Sequence, residues 1–454
     1  MQRPLLWKCL LLSVLGLALM LPLGMIERTI SERSYYRSEA VRSIAASTAG
    51  PQTLIGPILA IPVREEYDDE VPVGKDDDGR VRIVRRSRTQ VLTVLPKRLD
   101  VDGSLGVERR AYGIHEASVF ELQGSLKGSF DPPTEADLPT RGRNSVLTWG
   151  KPSLVLGIDD VRGLSGEPKV KVGESDLVVS RGAAPSGLKS GFHAELAAAG
   201  LPTKPLSFRV DLKLAGTESI AIAPLAEMTT AELRGNWPHP SFGGGFLPRE
   251  RQVGDDGFRA RWSVSALAAD IQRDALGGRE GHNLGDNAVF RVRLIDPVDI
   301  YQQATRAVKY GVLFIVLIFA GFFAFETIKA LPIHPIQYLL VGLAIAVFFL
   351  LLVSLSEHIA FAWSYLAAAA ASIALITIYL AAVLRGWRPG LSAGSALGLL
   401  YGALFGVLRS EQSALLLGSV LLFVVLAALM LGTRKVDWYA VGLGSLRNKG
   451  GVQS

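Results

Sequence analysis

The residues best suited to metal binding or nucleophilic chemistry in this 454-residue chain are six histidines, at 115, 193, 239, 282, 334 and 358, and a single cysteine, Cys9. The histidines form no HExxH pair or other metal-ligand spacing, and no GxSxG elbow presents a serine. Cys9 follows Trp7 and Lys8 instead of small residues, which argues against a lipidated cysteine. One stretch does concentrate unusual side chains: NWPHPSF, from Asn236 to Phe242, followed at once by Gly243, Gly244 and Gly245. Each proline fixes its own φ and pushes the residue before it toward extended conformations, so Trp237, Pro238, His239 and Pro240 make a stiff, non-helical segment. With no base, metal partner or nucleophile in view, the expected role is a structural corner that plugs Trp237 and Phe242 into an apolar surface. A binding surface that includes His239 is the second reading. No catalytic residue, cofactor or metal is expected.

Two other groups invite chemistry. EEYDDEVPVGKDDDG holds eight carboxylates, but Asp76, Asp77 and Asp78 are contiguous and lack the alternate spacing of a calcium loop. Arg80, Arg82, Arg85, Arg86 and Arg88 follow, so a solvated hairpin with one acidic and one basic arm is expected. Glu357 and His358 close an apolar run and are candidate binding or structural residues.

The elements that must hold these residues divide sharply by composition. Mean hydropathy is +0.30 although 20% of residues are charged, which requires segregation. Residues 27–306 contain no apolar run of membrane length, whereas 5–26 and most of the chain after Tyr310 consist of such runs. The excess charge behind the pI of 9.3 is confined to the apolar parts, with 11 basic against 4 acidic residues there and 37 against 38 in 27–306. That distribution marks membrane topology and excludes nucleic acid as a partner.

Six spans are expected: 5–26 as an uncleaved anchor, then 308–325, 336–355, 361–384, 391–408 and 414–431, with a tail over 434–454. With the N-terminus inside, inner segments carry Lys329, Arg385, Arg388, Arg434, Lys435, Arg447 and Lys449, and the two short outer loops carry Arg409 as their one basic residue, beside Glu357 and Glu411. Both termini are therefore expected in the cytoplasm and residues 27–306 outside. In the fifth span Gly390, Gly394, Gly398, Gly402 and Gly406 recur every fourth residue, the small-residue pattern of close helix packing. Packing within the bundle is the expected use and a homo-oligomer interface the second. Ionisable residues of the spans, Glu326, Glu357, His358 and Arg409 among them, fall at span ends, which argues against a proton-coupled carrier.

The first span is expected to continue as a helical stalk over 27–50, ending at Gly50 and Pro51. Beyond it the period changes to two. SFRVDLKLAG, GFRARWSV and AVFRVRL alternate apolar and polar residues, the mark of antiparallel strands with one buried face. A β-rich, sandwich-like domain over 51–306 follows from several such segments separated by Gly- and Pro-rich turns. The fold class is thus an α-helical membrane bundle, one span plus five, with a large β-rich extracytoplasmic domain inserted after the first helix.

With these motifs laid out, the chain resembles the CreD family of bacterial inner-membrane proteins. The resemblance rests on YRSEAVRSIAASTAGPQTLIGP, NWPHPSF with FLP at 246–248, RAVKYGVLFI leading to FFAFE, HPIQYLLVGLAI, LLLVSLSEH, SALLLGSVLLF and TRKVDWY, in that order. It implies a multi-pass inner-membrane protein of cell envelope integrity and of an envelope-stress regulon under a two-component system, without a defined reaction. The partners this implies are the lipid bilayer and an envelope component or membrane protein. A transporter or lipid-handling role for the bundle is the alternative.

Overall fold

The computed structural model describes residues 3–72, 81–113, 115–183, 186, 188–268, 286–295, 300–329, 333–384, 386–409 and 414–434. Asp76 to Asp78, His282, Arg385, Glu411 and the expected tail from Lys435 onward lie outside the described residues. The chain divides into two compact units, Met1–Tyr36 with Val298–Ser454, and Arg37–Pro297.

The first unit is helical. Helix α1, Arg3–Ala18, and α2, Met20–Ser47, are separated only at Leu19, and the residues of α2 from Arg37 onward belong to the second unit. Pro22 explains the interruption, since it has no N–H to donate to the carbonyl of Ala18. Leu19 and Leu23 keep their bonds to Leu15 and Leu19, so the path stays helical through the break. After the β-rich region come α3 (Ile300–Lys329), α4 (Pro335–Ser356), α5 (Phe361–Val383), α6 (Trp387–Arg409) and α7 (Ala414–Thr433). Among the described residues five helices are long and apolar enough to cross a membrane: Trp7–Ser47, Ile300–Thr327, Pro335–Ser356, Phe361–Val383 and Trp387–Arg409. Over the expected span 414–431 the described apolar helix is Leu416–Ala428, which is shorter than these five. Within the unit α4 packs between α3 and α5, α5 against α6, and α7 against α3 and α6.

The second unit holds two sheets. In the first, the order is Pro240–Gly244, Phe290–Leu294, Ser219–Ala223, Gln52–Pro72, Ser153–Ile158, Gly191–Glu195 and Val179–Arg181, with Val81–Val94 and Arg143–Trp149 also paired to the long strand Gln52–Pro72. The second runs Glu250–Gly254, Gly257–Ser265, Met228–Gly235, Arg98–Tyr112, His115–Phe130, Leu206–Thr217, Lys169–Val172 and Ser175–Leu177. Inward residues of both share one core, with Leu54, Leu156, Phe192 and Ile222 from the first and Leu99, Leu122, Phe208 and Trp262 from the second.

Alternation predicts wholly antiparallel pairing, and the structure departs from it twice. Gln52–Ile55 runs parallel to Ile220–Ala223, and Met228–Gly235 runs parallel to Arg98–Leu105. Single-strand periodicity reports which face is buried and carries no information on the direction of the neighbour. The central strands of the first sheet do not alternate, because Ser153–Ile158 and Ser219–Ala223 are buried at every position. Their second face is covered by Ala183, Leu188, Leu225 and Val289, which explains the continuous apolar runs SLVLGI and SIAIA.

The acidic and basic arms do form a hairpin. Leu59 to Pro72 pairs residue by residue with Val81 to Val94. Asp68 pairs with Arg85 and Asp69 with Arg86, and both pairs are solvent-facing and so of small energetic weight. Glu65 differs, being buried with its carboxylate accepting from Arg88 Nε at 2.6 Å and from the Gly142 amide at 2.6 Å.

Candidate functional site

The segment 236–242 joins the two sheets. It leaves the second sheet at Gly235, opposite Leu105 and Phe258, and enters the edge of the first at Pro240, opposite Leu294. Asn236 fixes the departure by bonding both ways to Val107, accepting from its amide at 2.7 Å and donating to its carbonyl at 3.2 Å. Trp237 is 7% exposed, and its indole N–H donates to the Ile295 carbonyl at 3.0 Å. The Arg109 guanidinium lies over the same ring, 5.4 Å from its centre. Phe242 meets Phe258 and Trp262 edge-on at 5.9 and 5.8 Å, and Trp262 stacks on Phe290 at 5.0 Å. Pro238 and Pro240 are half-buried, and His239 between them is exposed. The two prolines therefore aim Trp237 and Phe242 inward and His239 outward, and among the described residues no second functional group is brought to His239.

A second cluster has no linear signature. The last turn of α2 is held in the β-rich unit by Arg162, which donates to the Ala46 carbonyl at 2.8 Å. A cation there also complements the helix C-terminus. Arg162 in turn pairs with Asp160, whose carboxylate accepts from the Gly50 amide at 3.2 Å. The Arg162 guanidinium, helped by the amides of Gly50 and Arg162, holds the Asp160 carboxyl below the usual carboxylate range. Gln52, fully buried, donates to the carbonyls of Asp160 and Ala215 at 3.0 and 2.9 Å and accepts from the Asp160 amide at 3.2 Å. Thr217, equally buried, donates its hydroxyl to the Ala49 carbonyl at 3.1 Å. The Arg162 bond satisfies one of the carbonyls that a helix end leaves open. Gly163 sits where a Cβ would lie 2.1 Å from the Ala215 carbonyl, so no larger residue fits the junction.

In the helical unit Glu357 ends α4 with its side chain 11% exposed. It accepts from the Tyr301 hydroxyl at 3.2 Å and faces Arg33 at 3.7 Å, while His358 beside it is exposed. Tyr301 also lines a polar cleft of about 410 Å³ with Ser31, Ser34, Gln302, Thr305 and Arg306. At the other end of α3, Glu326 pairs with Lys8 and accepts from the Tyr338 hydroxyl at 2.9 Å, which ties α1, α3 and α4 together. Sequence reasoning missed one deep polar set because it followed charge. Tyr365 donates to the Tyr401 carbonyl at 2.7 Å, and Tyr401 shares a hydrogen bond with Ser372 at 3.1 Å, all buried among Phe314, Phe348 and Phe405. Such uncharged bonds between α5 and α6 are the common polar glue of membrane bundles.

The glycine series divides. A Cβ at Gly390 would lie 2.7 Å from that of Ala381, and one at Gly394 would lie 2.1 Å from the Thr377 hydroxyl, so both serve the close approach of α5. Gly398 has only Ile373 at 3.9 Å, and Cβ atoms at Gly402 and Gly406 would meet nothing within 4 Å. The α5 axis crosses only the first part of the stripe, as the 400° advance of every four residues requires.

Among the described residues no three His, Cys, Asp or Glu come together in a way that could hold a metal ion. Two likenesses to solved structures are weak. An M1 zinc metallopeptidase from Deinococcus radiodurans has a TM-score of 0.22 at 9% identity, over 44% of this chain and 41% of that one. A putative nutrient binding protein from Legionella pneumophila has a TM-score of 0.23 at 9% identity, over 48% and 73%. Neither carries an assignment. Sequence comparison is of another order. The chain is 38% identical to inner membrane protein CreD of Escherichia coli (strain K12) over 448 residues, 98% of this chain and 96% of that protein. A family model described as inner membrane protein CreD matches residues 4–439, from the first apolar helix past the last, so the chain belongs to the CreD family of inner membrane proteins.

Proposed function

We propose that the protein supports the integrity of the bacterial cell envelope, with its β-rich unit in the periplasm binding or bracing an envelope component and no reaction of its own. In this reading six helices span the inner membrane, both termini are cytoplasmic and residues 27–306 are periplasmic. The observation that carries it is the junction at the end of α2. Helix α2 begins in the apolar N-terminal segment and ends in the β-rich unit, where Arg162 holds the carbonyl of Ala46 in its last turn and Thr217 and Asp160 hold Ala49 and Gly50 just beyond it. A helix end fixed by side-chain hydrogen bonds, in place of a flexible linker, is what supports a bracing role in this reading.

The test is made in cells that lack their own family member. The full chain is expected to restore exclusion of a membrane-impermeant dye under envelope stress, and a photo-reactive residue at exposed Leu247 is expected to capture one discrete envelope component. Replacing both Asp160 and Arg162 with Ala, at equal membrane abundance, is expected to abolish the rescue. Full rescue by the double variant, or equal dye entry with and without the chain, would overturn the reading.

A further inference from the structure

A groove of about 420 Å³ opens on the side of the helical bundle between α3, α5, α6 and α7. Its walls include Leu317, Gly321, Phe325, Ala393, Ala396 and Val424, and Ser392 is the one hydroxyl that lines it. Small residues create the space: a Cβ at Gly321 would meet nothing within 4 Å. Ser392, Ala396, Val424 and Ala428 are exposed, so the groove opens sideways, toward whatever surrounds the helices.

Length and position identify the occupant. Phe325, Ile333, Leu384 and Pro389, which lie where α3 and α5 end and where α4 and α6 begin, line one end of the groove. Leu317 and Leu400, well inside α3 and α6, line the other. From Pro389 to Leu400 an α-helix rises roughly 16 Å at about 1.5 Å per residue. That is about half of the ~30 Å hydrocarbon core, or one leaflet. An apolar slot one leaflet deep, open to the side and ending at the membrane surface, has the dimensions of a single acyl chain. At the surface end stand Trp387, exposed as interfacial tryptophans are, and Arg388, an exposed cation with no ion pair among the described residues.

We propose that this groove is a phospholipid site, which takes one acyl chain of a lipid from the leaflet at the α5–α6 turn and places an anionic headgroup beside Arg388. The site is independent of what the β-rich unit binds.

The experiment uses the full chain, purified in detergent, returned to vesicles of phosphatidylglycerol and phosphatidylcholine, extracted mildly and weighed by native mass spectrometry. The expected result is one retained phospholipid per chain, enriched in phosphatidylglycerol. Ala396→Phe, or Gly321→Leu from the opposite wall, is expected to empty the groove and remove the retained lipid. Leu391→Phe, exposed on the side of the same helix away from the groove, should leave it in place, and so controls for a change that does not enter the groove. Arg388→Gln is expected to keep the lipid while lowering the preference for phosphatidylglycerol about fivefold, the effect of one basic residue at an anionic surface. Circular dichroism and thermal midpoint must match wild type for a variant to count, and two variants on separate helices guard against a single misfolded one. Retention of no lipid by the wild type, or equal retention with both filling substitutions, would overturn the proposal. So would lipid retention gained only when residues after 434 are deleted, since the chain's own tail would then be the occupant.

Discussion

Trp237→Ala tests whether the Asn236 to Phe242 segment is a corner that holds the two sheets together. The side chain is 7% exposed, so its removal forfeits nearly all of a buried aromatic, typically about 3–5 kcal/mol. That range already contains the indole bond to the Ile295 carbonyl, about 1 kcal/mol net. Arg109 over the ring is half exposed, so its share is at the low end, on the order of 0.5 kcal/mol. A loss of about 4 kcal/mol is expected for Trp237→Ala. Trp237→Phe keeps most of the apolar contact and drops the hydrogen bond, for an expected loss of about 1–2 kcal/mol. His239→Ala, at an exposed position with no partner among the described residues, should stay within about 0.5 kcal/mol of wild type. The assay is urea unfolding of the detergent-solubilised full chain, with the surviving β-rich unit measured by pulse proteolysis and the midpoint shifts converted through the common slope. The corner reasoning fails if His239→Ala costs as much as Trp237→Ala, or if Trp237→Ala moves the midpoint by less than the error.

Other consequences are as direct. The Gly142 amide and the Arg88 guanidinium hold the Glu65 carboxyl below its ordinary range, against the opposing effect of burial. A depressed folded-state pKa means the stabilisation is complete above the unfolded value of about 4.3 and is lost as pH falls through the folded value. Glu65→Gln should therefore cost about 2 kcal/mol at neutral pH and flatten the acid limb of the stability curve below about pH 4.3, and an unchanged acid limb would count against the assignment. In α6, Gly394→Ala is expected to force α5 away and cost about 1–3 kcal/mol, because its methyl would collide with Thr377, whereas Gly402→Ala should be neutral or slightly stabilising. Equal thermal shifts for the two variants would show that α5 does not approach α6 as described.

Much of this protein is legible in its linear order because its determinants are local. The five long apolar helices follow from run length against a fixed hydrocarbon thickness, and strands such as Leu206–Thr217 and Gly257–Ser265 follow from strict alternation, which the burial pattern repeats. The stiffness of Trp237 to Pro240 is likewise a property of two proline rings. Membership in the CreD family is a matter of sequence alone. Tertiary structure decided everything that depends on which segments meet. The parallel pairings of Gln52–Ile55 and of Met228–Gly235 were hidden because alternation is the same whichever way a neighbour runs. The junction at the end of α2 joins residues 46–52 to 160–162 and 215–217, far apart in sequence and ordinary in type, so no spacing announces it. The glycine stripe is regular along the chain, yet only the positions that α5 crosses are filled, because a helix carries five such residues around its axis and a straight neighbour can meet only some of them.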